Sequence, residues 1–344
     1  KETNMIDKKN VLLQAKHLKK YFKLSRKSYL YAVDDISFEI ESGKTLGLVG
    51  ESGCGKSTIG NVVMRLIPQT DGELLYKGKD IFKVDKNESF ELRKKMQIIF
   101  QDPYSSLNPR KTILQILSEA FVIQKVCSRN EIKKNVLELC DIVQIPHNLL
   151  NHYPHELDGG MRQVVGIARA LSLNPDFIVC DEPVSSLDVS VQARIINLLM
   201  DIQKKRKISY LFISHDLSVV RHISHRVAVM YLGKMVEIAD TDDIFRNTMH
   251  PYSIALLSAV PTIEKFGENK TRILLQGDVP SPINPEHGCR FVKRCWMTGP
   301  KCHTSEEPPF KEVESGHYVA CFYAEKARML MNEYTKNRGK INND

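Results

Sequence analysis

The sequence predicts an α/β protein built on a mostly parallel sheet, interrupted by a largely helical insertion and followed by a small cysteine-rich unit. Three observations predict it. Apolar strand-like runs alternate with helix-patterned segments, the signature of βα units. The stretch Gly50-Glu51-Ser52-Gly53-Cys54-Gly55-Lys56-Ser57-Thr58 fits G-x-x-x-x-G-K-[ST] and lies between an apolar run, Thr45 to Val49, and an apolar periodic segment, Ile59 to Leu66. A second apolar run, Phe177-Ile178-Val179-Cys180, ends in two acids, Asp181 and Glu182. In an open α/β sheet such C-terminal strand edges are where ligands collect.

Taken in order, Val11 to Leu13, Ala32 to Ile40 and Thr45 to Val49 read as strands, with a basic aromatic stretch, Lys19 to Lys23, among them. Gly72 to Tyr76 and Met96 to Phe100 follow the first helix. Residues 112–170 read as mainly helical, with turns at Pro146 and Gly159-Gly160. Val191 to Lys205 reads as a helix; Tyr210 to Ser214 and Arg226 to Tyr231 read as strands. From about residue 262 the texture shifts to Pro, Gly and Cys with little periodicity. The expected domains are a core over 1–101 and 171–261, a helical subdomain over 102–170, a cysteine-rich domain over 262–330 and a tail over 331–344.

Composition narrows the class. Hydrophobic residues are 42% and charged residues 26%, as in an ordinary soluble domain. No apolar run approaches the ~20 residues that span a bilayer, and Lys1 to Asn10 is polar, so the expectation is a cytoplasmic chain. The net charge of +8 comes without an arginine stripe interleaved with aromatics, which argues against nucleic acid as a partner.

The glycine-rich loop presents backbone N–H groups to phosphate oxygens at a helix N-terminus. Lys56 supplies a point charge to the phosphates, and the Ser57 hydroxyl is placed to ligate Mg²⁺. Asp181 is positioned for the Mg²⁺ shell and Glu182 to polarise an attacking water, since phosphoryl transfer mostly needs positioning and charge stabilisation. ATP and Mg²⁺ are therefore the expected ligands.

Further motifs follow in a telling order. Leu157-Asp158-Gly159-Gly160-Met161 resembles the signature of ABC-type ATPases, which binds the γ-phosphate held by a partner subunit. Gln101 resembles the Q-loop glutamine (a further Mg²⁺ ligand), Ser185-Ser186-Leu187-Asp188 the D-loop, and His215 the switch histidine. Tyr21, with Phe22 as fallback, resembles the aromatic that stacks on adenine. Gln101 to Pro109, Cys180 to Ser185, and His250-Pro251-Tyr252 through Pro261 resemble the peptide/nickel importer ATPases, most of all the F-type subunit of oligopeptide and dipeptide permeases.

The resemblance covers residues 11–325. It implies a RecA-like core with a helical subdomain, a homologous second ATPase, two transmembrane permease subunits, an extracytoplasmic binding protein, and a peripheral place on the cytoplasmic face of the membrane. Peptide is the implied cargo; nickel or another small solute is the alternative, and a soluble non-transport ABC ATPase a more distant one.

Two positions depart from that pattern. Asp158 stands where the family has Ser; a carboxylate adds like charge beside a γ-phosphate, costing ~4 kcal/mol at ~4 Å and an effective dielectric of ~20. Val164 stands where the family usually has Arg. The expectation is an asymmetric pair whose impaired site holds the partner's ATP; a harmless or engineered change is the alternative. Cys289, Cys295, Cys302 and Cys321 are enough for a four-thiolate site in a reducing compartment. Their spacing leaves an iron–sulfur cluster and zinc open; the resemblance favours [4Fe–4S]. Cys54 reads as a tolerated loop residue, open to alkylating agents.

Overall fold

The computed structural model describes residues 10–259 and 273–336. The expected boundaries at 1–9, 260–272 and 337–344, and Pro261 of the His250-to-Pro261 motif, lie outside the described residues.

The chain opens with two long antiparallel strands, β1 (Val11–Lys23) and β2 (Tyr29–Glu41). They are far longer than the short runs expected. The basic aromatic stretch belongs to β1, because its side chains alternate across a half-covered sheet and so break up the apolar run. With β4 (Asp71–Tyr76) and β5 (Lys79–Asp80) they form a four-stranded sheet in the order β2-β1-β4-β5.

The second sheet carries the site. Its parallel part runs β9 (Arg226–Tyr231), β3 (Thr45–Val49), β8 (Ser209–Ile213), β7 (Phe177–Asp181), β6 (Met96–Ile99). β3, β7 and β8 are buried at every position, as central parallel strands covered on both faces must be. Register aligns their C-terminal ends: Leu48 pairs with Ile213, Ile213 with Asp181, and Cys180 with Ile99. Residues just past those ends therefore share one edge.

Helix α1 (Lys56–Val63) begins directly on the phosphate loop and stops three residues before the expected Leu66. Arg65 is left-handed (φ 56°), so the helix cannot continue through it. Past α2 (Lys86–Lys95) and β6, the chain makes α3 (Pro103–Ser106), α4 (Ile113–Gln124), α5 (Arg129–Val143) and α6 (Gly159–Leu171) before re-entering the sheet. The apolar faces of α4, α5 and α6 share one core with β7 and β8, through residues such as Leu117, Leu139, Ile167 and Phe212. Val164 is 2% exposed in that core. The second departure from the family pattern thus sits in apolar packing, where an arginine would have to carry its charge out of the core.

The cysteine-rich segment is sewn into the sheet. β12 (His317–Val319) pairs antiparallel with β10 (Lys234–Asp240), and β11 (Lys311–Glu314) extends the edge. Phe291 is 2% exposed within the main core. Helices α8 (Leu217–Ile223), α9 (Thr241–Asn247) and α10 (Pro251–Ser258) precede this segment, and α11 (Ala324–Lys336) closes the described chain.

Candidate nucleotide site

The shared edge gathers the expected residues. In the loop Gly50 to Thr58, the Lys56 ammonium donates to the carbonyls of Gly50 and Glu51, at 2.8 and 3.0 Å. It is thereby held, 5% exposed, on backbone oxygens that a phosphate can replace. Gly55 needs its missing Cβ: one would lie 1.9 Å from the Ala32 carbonyl oxygen, and its φ is 107°. Ser52, Gly53 and Thr58 complete the loop and the first turn of α1.

Cys54 is 4% exposed and points inward, 3.9 Å from the Lys56 nitrogen. Burial pushes its thiol pKa up, with Lys56 opposing. Burial of this thiol in the loop works against the expected reactivity toward alkylating agents.

Across the edge, the Ser57 hydroxyl donates to Asp181 Oδ1 at 2.9 Å. Burial raises the Asp181 pKa and the neighbouring Glu182 adds to the rise; Ser57 and Lys56 oppose it. A divalent cation would relieve that penalty, so Ser57 and Asp181 fit an Mg²⁺ shell by their chemistry.

Glu182 has φ 45°, a left-handed backbone unusual for a non-glycine, locked by its N–H donating to the Ile213 carbonyl at 3.0 Å. Such geometry costs about 1–3 kcal/mol and concentrates at functional sites. Its Oε2 accepts from Gln101 Nε2 at 3.0 Å and lies 3.3 Å from His215 Nδ1. Gln101, Glu182 and His215 thus form one polar cluster at the ends of β6, β7 and β8.

The signature segment lies at the start of α6. Asp158 caps that helix, its Oδ1 accepting from the Met161 N–H at 2.7 Å. Ser and Asp both serve as N-caps, so the substitution keeps the helix start while placing a carboxylate there. Gly159 and Gly160 follow; a Cβ on Gly160 would meet Val191 at 2.6 Å, so α6 and α7 (Val189–Arg206) approach closely here. Asp188 caps α7 by accepting from the N–H groups of Ser190 and Val191.

Tyr21 packs against Tyr31 with the rings tilted by 36° (centroids 4.3 Å apart), and its hydroxyl donates to Asp34. Burial raises the Tyr21 pKa, and Asp34 raises it further. Phe22, the fallback, lies under the Lys20 ammonium.

The sequence reading assigned no role to Tyr252 or Arg294. Tyr252 Oη accepts from the Glu51 N–H at 2.9 Å, and Arg294 forms a two-bonded ion pair with the Glu51 carboxylate. The resemblance of His250-Pro251-Tyr252 to the family pattern was the only signal for the first; nothing local marked the second.

Comparison with known proteins decides the family. Residues 33–185 match the ABC transporter model, and residues 236–302 match the oligopeptide/dipeptide transporter C-terminal region. The chain is 48% identical over 312 residues to the putative oligopeptide transport ATP-binding protein YkfD of Bacillus subtilis, covering 90% of this chain and 94% of that one. The chain belongs to the ABC transporter ATPases, in the oligopeptide/dipeptide transport group.

The dipeptide transport ATP-binding protein DppF of Haemophilus influenzae is 46% identical over 326 residues, covering 93% and 99% of the two chains. Among solved structures, an ATP-binding cassette captured as a dimer with ADP and Pi is similar, with TM-score 0.61 and 27% identity over 67% of this chain and 99% of that one. CbiO1 of Clostridium perfringens is similar at TM-score 0.62 and 26% identity, over 70% and 92%. The expected α/β cassette fold and ATPase activity are thus those of the family. None of the helices described is long and apolar enough to cross a membrane.

The four C-terminal cysteines are free thiols. Burial raises the pKa of Cys289, of Cys295 to about 11 and of Cys321 to about 12; the neighbouring cysteines add to each rise. Cys289, Cys295 and Cys302 all contribute to the rise at Cys321. Backbone N–H groups face several of the sulfurs, as that of Tyr323 faces Cys321 Sγ at 3.4 Å. Among the described residues, no group of three or more His, Cys, Asp or Glu side chains is arranged to hold a single metal ion.

Proposed function

We propose that this chain drives peptide uptake as one of two paired ATPases beneath a membrane permease. The observation that carries the reading is the Gln101–Glu182–His215 cluster, on the same sheet edge as Lys56, Ser57 and Asp181. Bound Mg²⁺ and ATP would supply the charge and the scissile bond. Lys56 would exchange two carbonyls for phosphate oxygens, Ser57 and Asp181 would hold the cation, and Glu182 would orient water, with Gln101 and His215 fixing its carboxylate. Tyr21 would face adenine from beside Tyr31, whose neighbour Ala32 touches Gly55.

Cassettes of this family include dimers, as in the ADP-bound relative. Asp158, Gly159, Gly160 and Asp188 would then serve the nucleotide held by the partner ATPase. The Asp158 carboxylate already accepts from the Met161 N–H at the start of α6, where a phosphate would add a second negative charge. The partner's composite site is thereby weakened, and hydrolysis is concentrated at the site built on Lys56. Two permease subunits would anchor the pair at the cytoplasmic face, and an extracytoplasmic binding protein would deliver the peptide.

For the cysteine segment the reading is a [4Fe–4S] cluster held by Cys289, Cys295, Cys302 and Cys321. Four thiols that raise one another's pKa, with an N–H group aimed at sulfur, would suit a cluster, and the resemblance favours it over zinc. When bound it would supply structural cross-linking. Iron and acid-labile sulfide assays on anaerobically purified chain check this; zinc in their place would overturn it.

The uptake test replaces the native chain by Lys56→Ala in cells given labelled di- and oligopeptides or radioactive nickel. Loss of peptide uptake alone is expected. Loss of nickel uptake alone would replace the cargo.

A further inference from the structure

The phosphate loop and the cysteine-rich segment meet at a part-buried ion pair. Arg294 ends the single helical turn Val292–Arg294, between Cys289 and Cys295. Its side chain is 8% exposed, that of Glu51 27%, and the guanidinium forks onto the carboxylate: Nη1 to Oε2 at 2.6 Å and Nη2 to Oε1 at 3.0 Å. This bidentate geometry fixes orientation as well as charge.

The surroundings hold both partners still. The Glu51 N–H donates to Tyr252 Oη at 2.9 Å. The Arg294 guanidinium lies 5.9 Å from the centre of the Tyr231 ring. Phe291 packs edge-on against Tyr231 and Tyr252, and Trp296 Nε1 donates to the Pro251 carbonyl at 3.0 Å. The turn bearing Arg294 is thus pinned to the ATPase core on both sides.

Glu51 is the second residue of the phosphate loop, and its carbonyl is one of the two that hold Lys56. A bare carboxylate there would add negative charge to a loop that must receive a triphosphate. We propose that Arg294 is a positioning residue for ATP binding: it neutralises Glu51 and fixes the loop's first turn, so that the cysteine-rich segment sets nucleotide affinity. The contact needs no chemistry from the cysteines themselves. Any event that displaces the Cys289–Cys295 turn is transmitted to the loop through this pair.

The test compares the full-length native chain with Arg294→Met, Glu51→Gln and the double variant. Equilibrium dialysis against radiolabelled ATP gives affinity, and the thermal midpoint is read alongside. Arg294→Met is expected to weaken ATP binding about tenfold, the scale of one charge-assisted hydrogen bond. The double variant is expected to recover to within about threefold of Glu51→Gln, because the unpaired carboxylate is gone. A role confined to holding the segment in place would lower the midpoint and give no recovery. Unchanged affinity in Arg294→Met, or a double variant as weak as Arg294→Met, overturns the proposal.

Should Arg294→Met fail to fold, Arg294→Lys and Glu51→Gln carry the test through emission of Trp296, the chain's one tryptophan. ATP is expected to perturb that emission in the native chain and less in both variants. An equal response in all three contradicts the coupling.

Discussion

The nucleotide edge and the suture that binds the cysteine-rich segment to the core both bury polar groups, but they satisfy them in opposite ways. At the edge, Lys56 rests on two backbone carbonyls, and Glu182 touches His215, which is 57% exposed. These contacts can be exchanged for ligand contacts. At the suture, Glu237 is 0% exposed and accepts from the Thr248 hydroxyl, the Met249 and His250 N–H groups and the His317 ring. Burial opposes its charge, yet His317 and the other donors hold its carboxyl below the usual carboxylate range. His317 belongs to β12 and Glu237 to β10, so this enclosed pair stitches the segment to the sheet. Exchangeable partners mark the working site; fully enclosed partners mark the fastening.

The contrast can be broken by substitution. Glu182→Gln is expected to slow ATP hydrolysis about 10²–10³-fold, in the range for loss of a positioned general base, while leaving ATP binding and the thermal midpoint near native. A large loss of stability would mean the edge is structural too. Glu237→Ala is expected to do the reverse. It leaves His317 without its buried partner and costs about 3–5 kcal/mol of stability, read by denaturant unfolding.

Acid pH sharpens the same comparison. His250 is 2% exposed, and burial lowers its pKa to about 4. Its Nδ1 accepts from the Tyr252 N–H at 3.1 Å, a bond that requires the unprotonated nitrogen. The folded state therefore binds fewer protons than the unfolded state between about 4 and the ordinary value near 6.5. Its contribution to stability is complete above pH 6.5 and is lost as pH falls toward 4. The thermal midpoint should fall over that window, and His250→Gln should flatten the dependence.

The smallest effects belong to the signature and the loop thiol. Asp158→Ser keeps an N-cap and should change stability by no more than ~0.5 kcal/mol, while raising ATP turnover of the assembled transporter; unchanged turnover would remove the asymmetry. In alkylation with iodoacetamide, Cys54 should react slowly and the half-buried Cys127 first, as peptide mapping would show.

Much of the edge was legible because its chemistry is local. A phosphate loop and two acids after an apolar strand carry their signal within a few residues; the glutamine and the histidine stand out only through the family resemblance, and parallel register brings all of them together. The suture was not legible. Glu237 and His317 are separated by eighty residues, and neither has a distinctive neighbourhood. Arg294 reads as an ordinary basic residue until Glu51 is placed beside it. The long strand β1 is hidden because its exposed lysines interrupt the apolar pattern, and the segment from about residue 262 reads as a small appended domain because its texture is Pro, Gly and Cys with little periodicity. Asp158 was read as a charge alone; its capping bond to Met161 appears only in three dimensions.

The most direct measurement is ATP hydrolysis by the assembled transporter in membranes, with native chain or Glu182→Gln, together with ATP retention by each. The account predicts that Glu182→Gln removes most of the turnover while the complex still binds and retains ATP. Turnover close to native in Glu182→Gln would contradict it, and would place the working hydrolytic centre outside this chain's edge.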